Sequence, residues 1–264
     1  MEEIIWYSDW RFWSAVVAWI SFLMNVWPKI KSKIFKGKLS LNKMNQVFLN
    51  HFIGYPNLNW YLILKNTGGQ PVSVKRIDLE LKCTGSDQFQ LTSLGFWNSQ
   101  TDAQLLMFTP FDILPGESWG KNISFQTVMS RREQMNLREL ISNLREDLQN
   151  PVSPQLPSPP VNNILGFPPA TSLSMPCVSD DNLKKVNDFF DKNFKWQSGE
   201  YQVEISVIGE QGVLHKEKVS FTIFEKESDE LLSHRNEYLY GSGICNPNSY
   251  KQTGIYISLY GKDI

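Results

Sequence analysis

Three histidines, His51, His215 and His234, are the side chains of this sequence best suited to act as general bases or metal ligands. No two of them lie at a spacing typical of metal ligands, and the sequence contains no GxSxG, HExxH or phosphate-loop motif. A catalytic site can still assemble from distant residues, because triads are defined in space. We predict a protein without enzyme activity, with no catalytic, metal-binding or cofactor-binding residues.

The cysteines Cys83, Cys177 and Cys245 are odd in number and widely separated, with no CxxC pair. A disulfide framework needs pairs, and a zinc site needs closely spaced ligands. The pattern is typical of free thiols in a reducing compartment. One disulfide stays open as an alternative, because separation along the chain does not fix separation in space.

The composition places the chain among folded proteins that carry little net charge. Hydrophobic residues make up 41% of the 264 positions, and the net charge is -1. A core of ordinary size is therefore expected. The balanced charge gives no overall field that would attract nucleic acid.

The segment from Phe12 to Trp27 contains no charged residue and predicts a membrane-spanning helix within residues 1–28. Tryptophans at both ends fit the aromatic belts of a span, and Pro28 favours its end. The predicted anchor residues are Phe12, Trp13, Val16, Val17, Trp19, Ile20, Phe22, Leu23 and Trp27. A cleavable signal peptide, a buried core helix and an interfacial helix are the alternatives.

A lysine cluster follows this segment, in a linker at residues 29–38. The positive-inside rule places such a cluster, and the rest of the chain, on the cytoplasmic side of the cell (inner or plasma) membrane. The residues predicted to contact lipid headgroups are Lys29, Lys31, Lys33, Lys36 and Lys38.

Small and weakly polar residues form a stripe within the same segment. Ser14, Ala18, Ser21 and Asn25 share one helical face. Such a stripe allows helices to approach closely, which favours a homo-oligomer or contact with another membrane subunit. A chance occurrence explains the stripe equally well.

From Leu39 the apolar residues follow the period of β-strands. Val72–Leu81 and Glu200–Ile208 alternate apolar and polar side chains, and Gly209–Gly212 has the composition of a hairpin turn. The spacing of these runs favours an antiparallel sandwich. We predict a mainly β domain at 39–264, preceded by one transmembrane helix.

An insertion at about residues 128–197 interrupts the strand pattern. Ser130 and Glu133 form a capping box, and the spacing behind them predicts a helix over 131–149. A second helix is predicted to begin at Ser179. Between them, Pro151–Pro160 is rich in proline, which favours an extended linker.

Three turn motifs resemble those of prokaryotic immunoglobulin-like and cell-adhesion-related domains. They are the turn at Asn66–Gly69, the sequence Leu114–Pro115–Gly116–Glu117, and Gly199–Glu200–Tyr201 at the start of a late strand. The resemblance implies an immunoglobulin-like antiparallel sandwich that acts as a binding or spacing module, with no catalytic residue. The chain departs from that family by its long insertion and its predicted cytoplasmic location.

Three functions follow as expectations. The first is a single-pass membrane protein whose cytosolic domain binds or scaffolds a protein partner. The second is a membrane effector whose anchors oligomerise and perturb the bilayer. The third, with the opposite topology, is an extracellular adhesion domain.

Overall fold

The computed structural model describes residues 10–34, 36–85, 88–99, 102, 104–150, 177–241, 244–245 and 254–260. The first half of the chain forms α1 (Trp10–Ile34), β1 (Leu39–Lys43), β2 (Gln46–Phe52), β3 (Tyr55–Asn66), β4 (Val72–Cys83), β5 (Phe89–Trp97), β6 (Leu106–Met107), β7 (Phe111–Ile113) and β8 (Ser118–Gln126). The second half forms α2 (Arg131–Gln149), α3 (Asp180–Asn193), β9 (Gly199–Gly209), β10 (Gly212–Ile223), α4 (Glu225–Ser233), a 3₁₀ helix (His234–Tyr240) and β11 (Ile255–Ser258).

Strict alternation along the long strands produces one buried face. In β3, Leu58, Trp60, Leu62 and Leu64 are almost wholly inaccessible, while the residues between them are half-exposed. Because successive side chains of a strand point to opposite faces, this pattern places a continuous apolar layer on one side of the sheet. The alternation predicted for β9 is confirmed by the structure. In β4 the alternation is interrupted by a bulge between Val74 and Arg76, beyond which Asp78 is buried together with its neighbours.

The described strands form a single antiparallel sheet with the order β10-β9-β4-β5-β8-β3-β2-β11. β1 pairs with β3, β6 with β5, and β7 with β4. The sheet curls until its two ends meet at one bridge, between Ser220 and Tyr260. The predicted immunoglobulin-like sandwich is therefore wrong: the core is enclosed by one curled sheet and not by two packed sheets. Both arrangements need the same alternation of side chains, so the sequence pattern does not distinguish them.

The helices of the second half cover one end of the curled sheet. The β2–β3 hairpin, the end of β8, the start of β9 and the end of β10 all lie at this end. Gly54 adopts φ 84° in the hairpin, and a Cβ there would lie 2.4 Å from the Phe190 carbonyl oxygen of α3. The predicted helices α2 and α3 are confirmed, with the Ser130–Glu133 capping box in place. The proline-rich segment Pro151–Pro160 lies outside the described residues.

Helix α1 joins the sheet at the opposite end. The Lys38 carbonyl accepts a hydrogen bond from Thr67 N–H at 2.8 Å, in the turn between β3 and β4. Among the described residues, no helix combines the length and the apolar character that crossing a bilayer requires. The predicted transmembrane helix and the single-pass membrane arrangement are therefore wrong. The uncharged run of sixteen residues gives only about 24 Å of helix, against about 30 Å of hydrocarbon.

Candidate functional site

Helix α1 carries many exposed large apolar side chains along its length. None of its described side chains is buried. Nine large apolar residues are at least half exposed: Trp10, Trp13, Val17, Trp19, Ile20, Phe22, Leu23, Met24 and Trp27. The five aromatic ones alone leave roughly 500–800 Å² uncovered, which is as large as the patches that mark interaction sites.

The apolar residues of α1 include a seam with the spacing of a coiled coil. Phe12, Val16, Trp19, Leu23 and Val26 are separated alternately by four and three residues within one continuous helix. This is the a/d pattern of a heptad repeat, and it places all five side chains on one face. We call these five residues the α1 seam. Trp19 and Leu23, at its centre, are 65% and 50% exposed.

The small residues predicted to mediate helix contact share one face, but it lies opposite the α1 seam. Ser14, Ala18, Ser21 and Asn25 are all exposed. Ser14 Oγ donates to the Arg11 carbonyl at 2.8 Å, and Asn25 Nδ2 donates to the Ser21 carbonyl at 2.9 Å. Ser14 and Asn25 thus each donate a hydrogen bond within the helix itself.

The predicted headgroup lysines divide between helix and linker. Lys29, Lys31 and Lys33 belong to the last turns of α1, and their side chains lie outside the described part of the structure. Lys36 and Lys38 follow the helix and are exposed. Positive charge near a helix C-terminus complements the negative end of the helix dipole, which gives these lysines a role without lipid.

His51 and His234 contact each other beneath the helical layer, the helices α2, α3 and α4 that cover one end of the sheet. The sequence did not predict this contact. His51 in β2 is 5% exposed, and its Nε2 lies 2.9 Å from the Leu231 carbonyl oxygen and 3.2 Å from His234 Nδ1. Gly54 N–H donates to His51 Nδ1 at 3.4 Å, so the ring carries its proton on Nε2. Burial lowers the pKa of His51 to about 4.

His51 also makes aromatic contacts with the helices that cover the sheet. Its ring packs edge-on against Phe190 at 5.1 Å and Phe194 at 5.8 Å. The neutral ring therefore joins β2 to α3 and α4 through one hydrogen bond and two aromatic contacts. Within the described residues, no group of three or more His, Cys, Asp or Glu side chains is arranged to hold a metal ion.

The three cysteines are free thiols, as the sequence predicts. Cys83 is buried at the end of β4, and Cys177 and Cys245 are half-buried near the helical layer. Burial raises the pKa of the Cys245 thiol, which makes it a weaker nucleophile than an exposed cysteine.

Comparison with known proteins adds no family assignment. No protein-family model matches the sequence, and no curated protein matches it. Functional inference for this chain therefore depends on its own surfaces. The α1 seam lies within the segment that was predicted to be a membrane anchor. The alternating spacing of four and three residues identifies it in the sequence.

Proposed function

We propose that this protein is a non-catalytic binding protein that assembles through α1. Two or more copies pair along the α1 seam, and the β-rich domain is thereby presented in more than one copy. The single observation that carries this proposal is the heptad-spaced apolar seam of a 25-residue helix, in which Trp19 and Leu23 are exposed and the other three residues are half-buried.

A second copy of the same chain is the partner that fits this face best. Heptad seams are self-complementary, because an a or d side chain of one helix inserts between four residues of an identical neighbour. Symmetric association also matches the tendency of soluble proteins to form closed homo-oligomers. The helix leaves the sheet at the end opposite the helical layer, so pairing of α1 leaves that layer accessible.

The small and polar residues of α1 lie where a coiled coil through the α1 seam would leave them exposed. In the heptad frame, Ser14 and Ser21 occupy f positions and Ala18 and Asn25 occupy c positions. Those positions face solvent in a coiled coil. Ser21 and Asn25 therefore remain exposed when the seam is buried.

Two double variants with the same charges on opposite faces test the proposal. Trp19→Glu with Leu23→Lys places a charge pair in the α1 seam, and Val17→Glu with Ser21→Lys places the same pair, at the same spacing, on the outer face. Both pairs favour helix through their i,i+4 order. Sedimentation equilibrium should show that the seam variant is monomeric, while the outer-face variant associates like the unmodified chain.

Two results would contradict self-assembly through the seam. One is equal association of the two variants. The other is loss of association in the outer-face variant alone, which would shift the contact to the small-residue face. Helix content measured by circular dichroism identifies a variant in which α1 has simply unfolded.

A further inference from the structure

The outward-facing side chains of β2, β3, β8 and β5 form regular rows across the curled sheet. Inward positions of these strands build the core, so the alternate positions face outward. Phe48 in β2 lies opposite Asn59 in β3, and Asn59 lies opposite Ser124 in β8. On the other side of β2, Tyr256 in β11 lies opposite Phe48. These four residues therefore make one row across four neighbouring strands.

Two further rows flank this one, about 7 Å away on each side. The second row crosses β3, β8 and β5 at Tyr61, Asn122 and Trp97. The third row crosses β2, β3, β8 and β5 at Asn50, Asn57, Gln126 and Thr92. We call the eleven residues of the three rows the neutral face, because none of them carries a charge.

The other half of the outer surface has a different composition. Outward positions of β4, β9 and β10 include Glu80, Lys82, Glu204, Lys216 and Lys218. Lys216 and Lys218 form ion pairs with Glu204. Charged residues are thus the usual way in which this sheet meets solvent. The lack of charge on the neutral face is a local property and needs its own explanation.

Aromatic rings lie on two sides of the neutral face. Tyr256 is 72% exposed, and its ring centre lies 4.9 Å from that of Phe48 at an interplanar angle of 51°. Tyr61 and Trp97, in the second row, are half-buried. A Cβ on Gly120 would lie 3.0 Å from Tyr61 Oη, so the missing side chain lets the tyrosine ring lie along the sheet. The face therefore offers flat apolar surfaces on which a ligand can stack.

Amide side chains occupy the space between these rings. Gln126 Nε2 donates to Ser124 Oγ at 3.4 Å, and Ser124 Oγ donates to Asn57 Oδ1 at 3.1 Å. This chain of bonds orients three side chains, while the Gln126 carbonyl oxygen and the Asn57 amino group keep hydrogen-bonding capacity. The Oδ1 atoms of Asn59 and Asn50 accept no hydrogen bond from any residue that the structure describes. The face therefore holds donors and acceptors side by side for a partner that supplies both.

We propose that the neutral face binds an uncharged carbohydrate chain. A sugar ring presents apolar C–H groups on its flat sides and hydroxyl groups around its rim. The C–H groups suit the aromatic rings, and each hydroxyl can both donate to and accept from a carboxamide, which offers both functions. This inference goes beyond the self-association of α1 and does not depend on it.

Other polymers suit this surface less well. A nucleic acid strand also stacks on aromatic rings, but its phosphates need a positively charged groove, and the neutral face supplies no cation. An anionic lipid surface needs the same positive charge. The centre of a protein interface is mainly apolar, whereas five of the eleven residues of the neutral face are amides.

Affinity electrophoresis of the full chain tests the proposal. Native gels that contain dextran, galactomannan or hydroxyethyl cellulose supply neutral polysaccharides, and gels that contain polygalacturonate supply an anionic one. At least one neutral polysaccharide should retard the chain increasingly as its concentration rises, and polygalacturonate should not. Unchanged mobility in all three neutral gels would overturn the proposal, as would retardation by polygalacturonate alone.

Two variants locate the bound polysaccharide on the neutral face. Asn59→Leu removes the amide at nearly constant side-chain volume, and Tyr256→Ala removes the most exposed ring of the face. Each should weaken binding at least about threefold, the loss expected for one neutral hydrogen bond or one stacking contact. The matched controls are Gln202→Leu on the charged outer surface of β9 and Tyr240→Ala on the 3₁₀ helix, and both should bind like the unmodified chain.

Thermal unfolding separates a loss of binding from a loss of the fold. Asn59 Oδ1 accepts no hydrogen bond and Tyr256 is mostly exposed, so both variants should remain folded. If Asn59→Leu does not fold, Tyr256→Ala decides alone. Unchanged binding in the folded variants would overturn the proposal. Dissociation of the oligomer in Tyr256→Ala, measured by sedimentation, would assign this face to a contact between copies and would also overturn it.

Discussion

Buried polar side chains connect parts of this protein that are far apart in sequence. Trp196, which is inaccessible to solvent, donates its indole N–H to the Asn50 carbonyl at 2.6 Å, and the Trp196 carbonyl accepts from Ser228 at 3.0 Å. Tyr201 donates toward the carbonyls of Lys195 and Gln197, each at 2.8 Å. Each of these bonds satisfies a group that burial would otherwise leave unpaired. The helical layer is therefore fixed to the sheet by specific partners as well as by apolar contact.

His51 makes the stability of the domain dependent on pH. Its pKa is about 4 in the folded protein and 6.5 in the unfolded chain, so the unfolded chain takes up the proton first as pH falls. The free energy of unfolding should fall by about 2 kcal/mol between pH 6.5 and pH 5. His234, whose pKa is also lowered by burial, acts in the same direction. Urea unfolding at a series of pH values measures this dependence.

His51→Gln is the test variant, because the glutamine amide can still donate to the Leu231 carbonyl. It should lose most of the pH dependence between pH 6.5 and pH 5. His215→Gln is the matched control on β10, and it should keep that dependence because His51 is still present. Glu133 contributes only at lower pH, because hydrogen bonds from Ser130 lower its pKa. Asp147 does the same: burial raises its pKa, but the hydrogen bonds from Ser179 and Asn182 outweigh burial and lower it. An unchanged pH dependence in His51→Gln would contradict the buried neutral ring.

Asn66 should be the most sensitive turn residue. It is inaccessible to solvent, donates to the Gln70 and Ile113 carbonyls, and accepts from the Gly68 N–H at 2.9 Å. Asn66→Ala leaves three backbone groups without this partner, so we expect a loss of about 2–4 kcal/mol in the free energy of unfolding. Asn42→Ala, on the exposed side of β1, should change it by less than about 0.5 kcal/mol. Similar unfolding midpoints for the two variants would refute this role.

The sequence predicted the turn at Asn66 but not the meeting of His51 with His234. The turn depends on neighbouring residues, whose identities are visible in a short segment. The histidine pair joins positions 183 residues apart, and it exists only after the sheet curls and the helices cover its end. Pairing over such a distance leaves no local pattern in the sequence.

At the scale of the elements, the start of α2 is the feature that the sequence predicts most completely. Ser130 Oγ accepts from the Glu133 N–H at 3.3 Å, and the Glu133 carboxylate accepts from the Ser130 N–H at 2.8 Å. Burial raises the pKa of Tyr55, at the start of β3, to about 12, and the charge of the nearby Glu133 carboxylate acts in the same direction. The capping carboxylate therefore lies close to β3 as well as closing the first turn of α2.

Ser130→Ala should lower the free energy of unfolding by about 1 kcal/mol, because the Glu133 N–H loses its acceptor. Ser142→Ala provides the control, since it makes the same substitution at an exposed position inside the same helix. There the higher helix propensity of alanine should give a small gain of up to about 0.5 kcal/mol. Equal losses in the two variants, measured by thermal unfolding, would show that the cap is energetically unimportant.

Helix α1 shows how one apolar pattern supports two different predictions. A run of uncharged residues with tryptophans at its ends is typical of a span, and a heptad seam is typical of a coiled coil. Length argues against a span, because the uncharged run is shorter than a bilayer core. The α1 seam, from Phe12 to Val26, covers about two heptads of the same helix. Four of the five seam residues, all but Val26, were predicted from the sequence as anchor residues, but their heptad arrangement was not predicted.

At the scale of the whole molecule, the alternating strands predicted a mainly β protein but not its closure. A sandwich and a curled sheet expose the same sequence of apolar and polar residues along each strand. A sandwich and a curled sheet differ in the order in which the strands pair. Here β4 lies between β9 and β5, and β3 lies between β8 and β2. These pairings join distant segments, so no turn motif fixes them. The two ends of the sheet are joined only at the bridge between Ser220 and Tyr260 among the described residues.

The central claim is that the whole molecule associates through α1, and its molar mass in solution tests this most directly. Light scattering on the unmodified chain, without detergent or lipid, should give a mass that is a multiple of 30.5 kDa and falls toward that value on dilution. Addition of lipid vesicles should leave this assembly intact, because the proposed pairing buries the seam between copies. A monomer at every concentration, or copies that separate and sediment with the vesicles, would contradict the account.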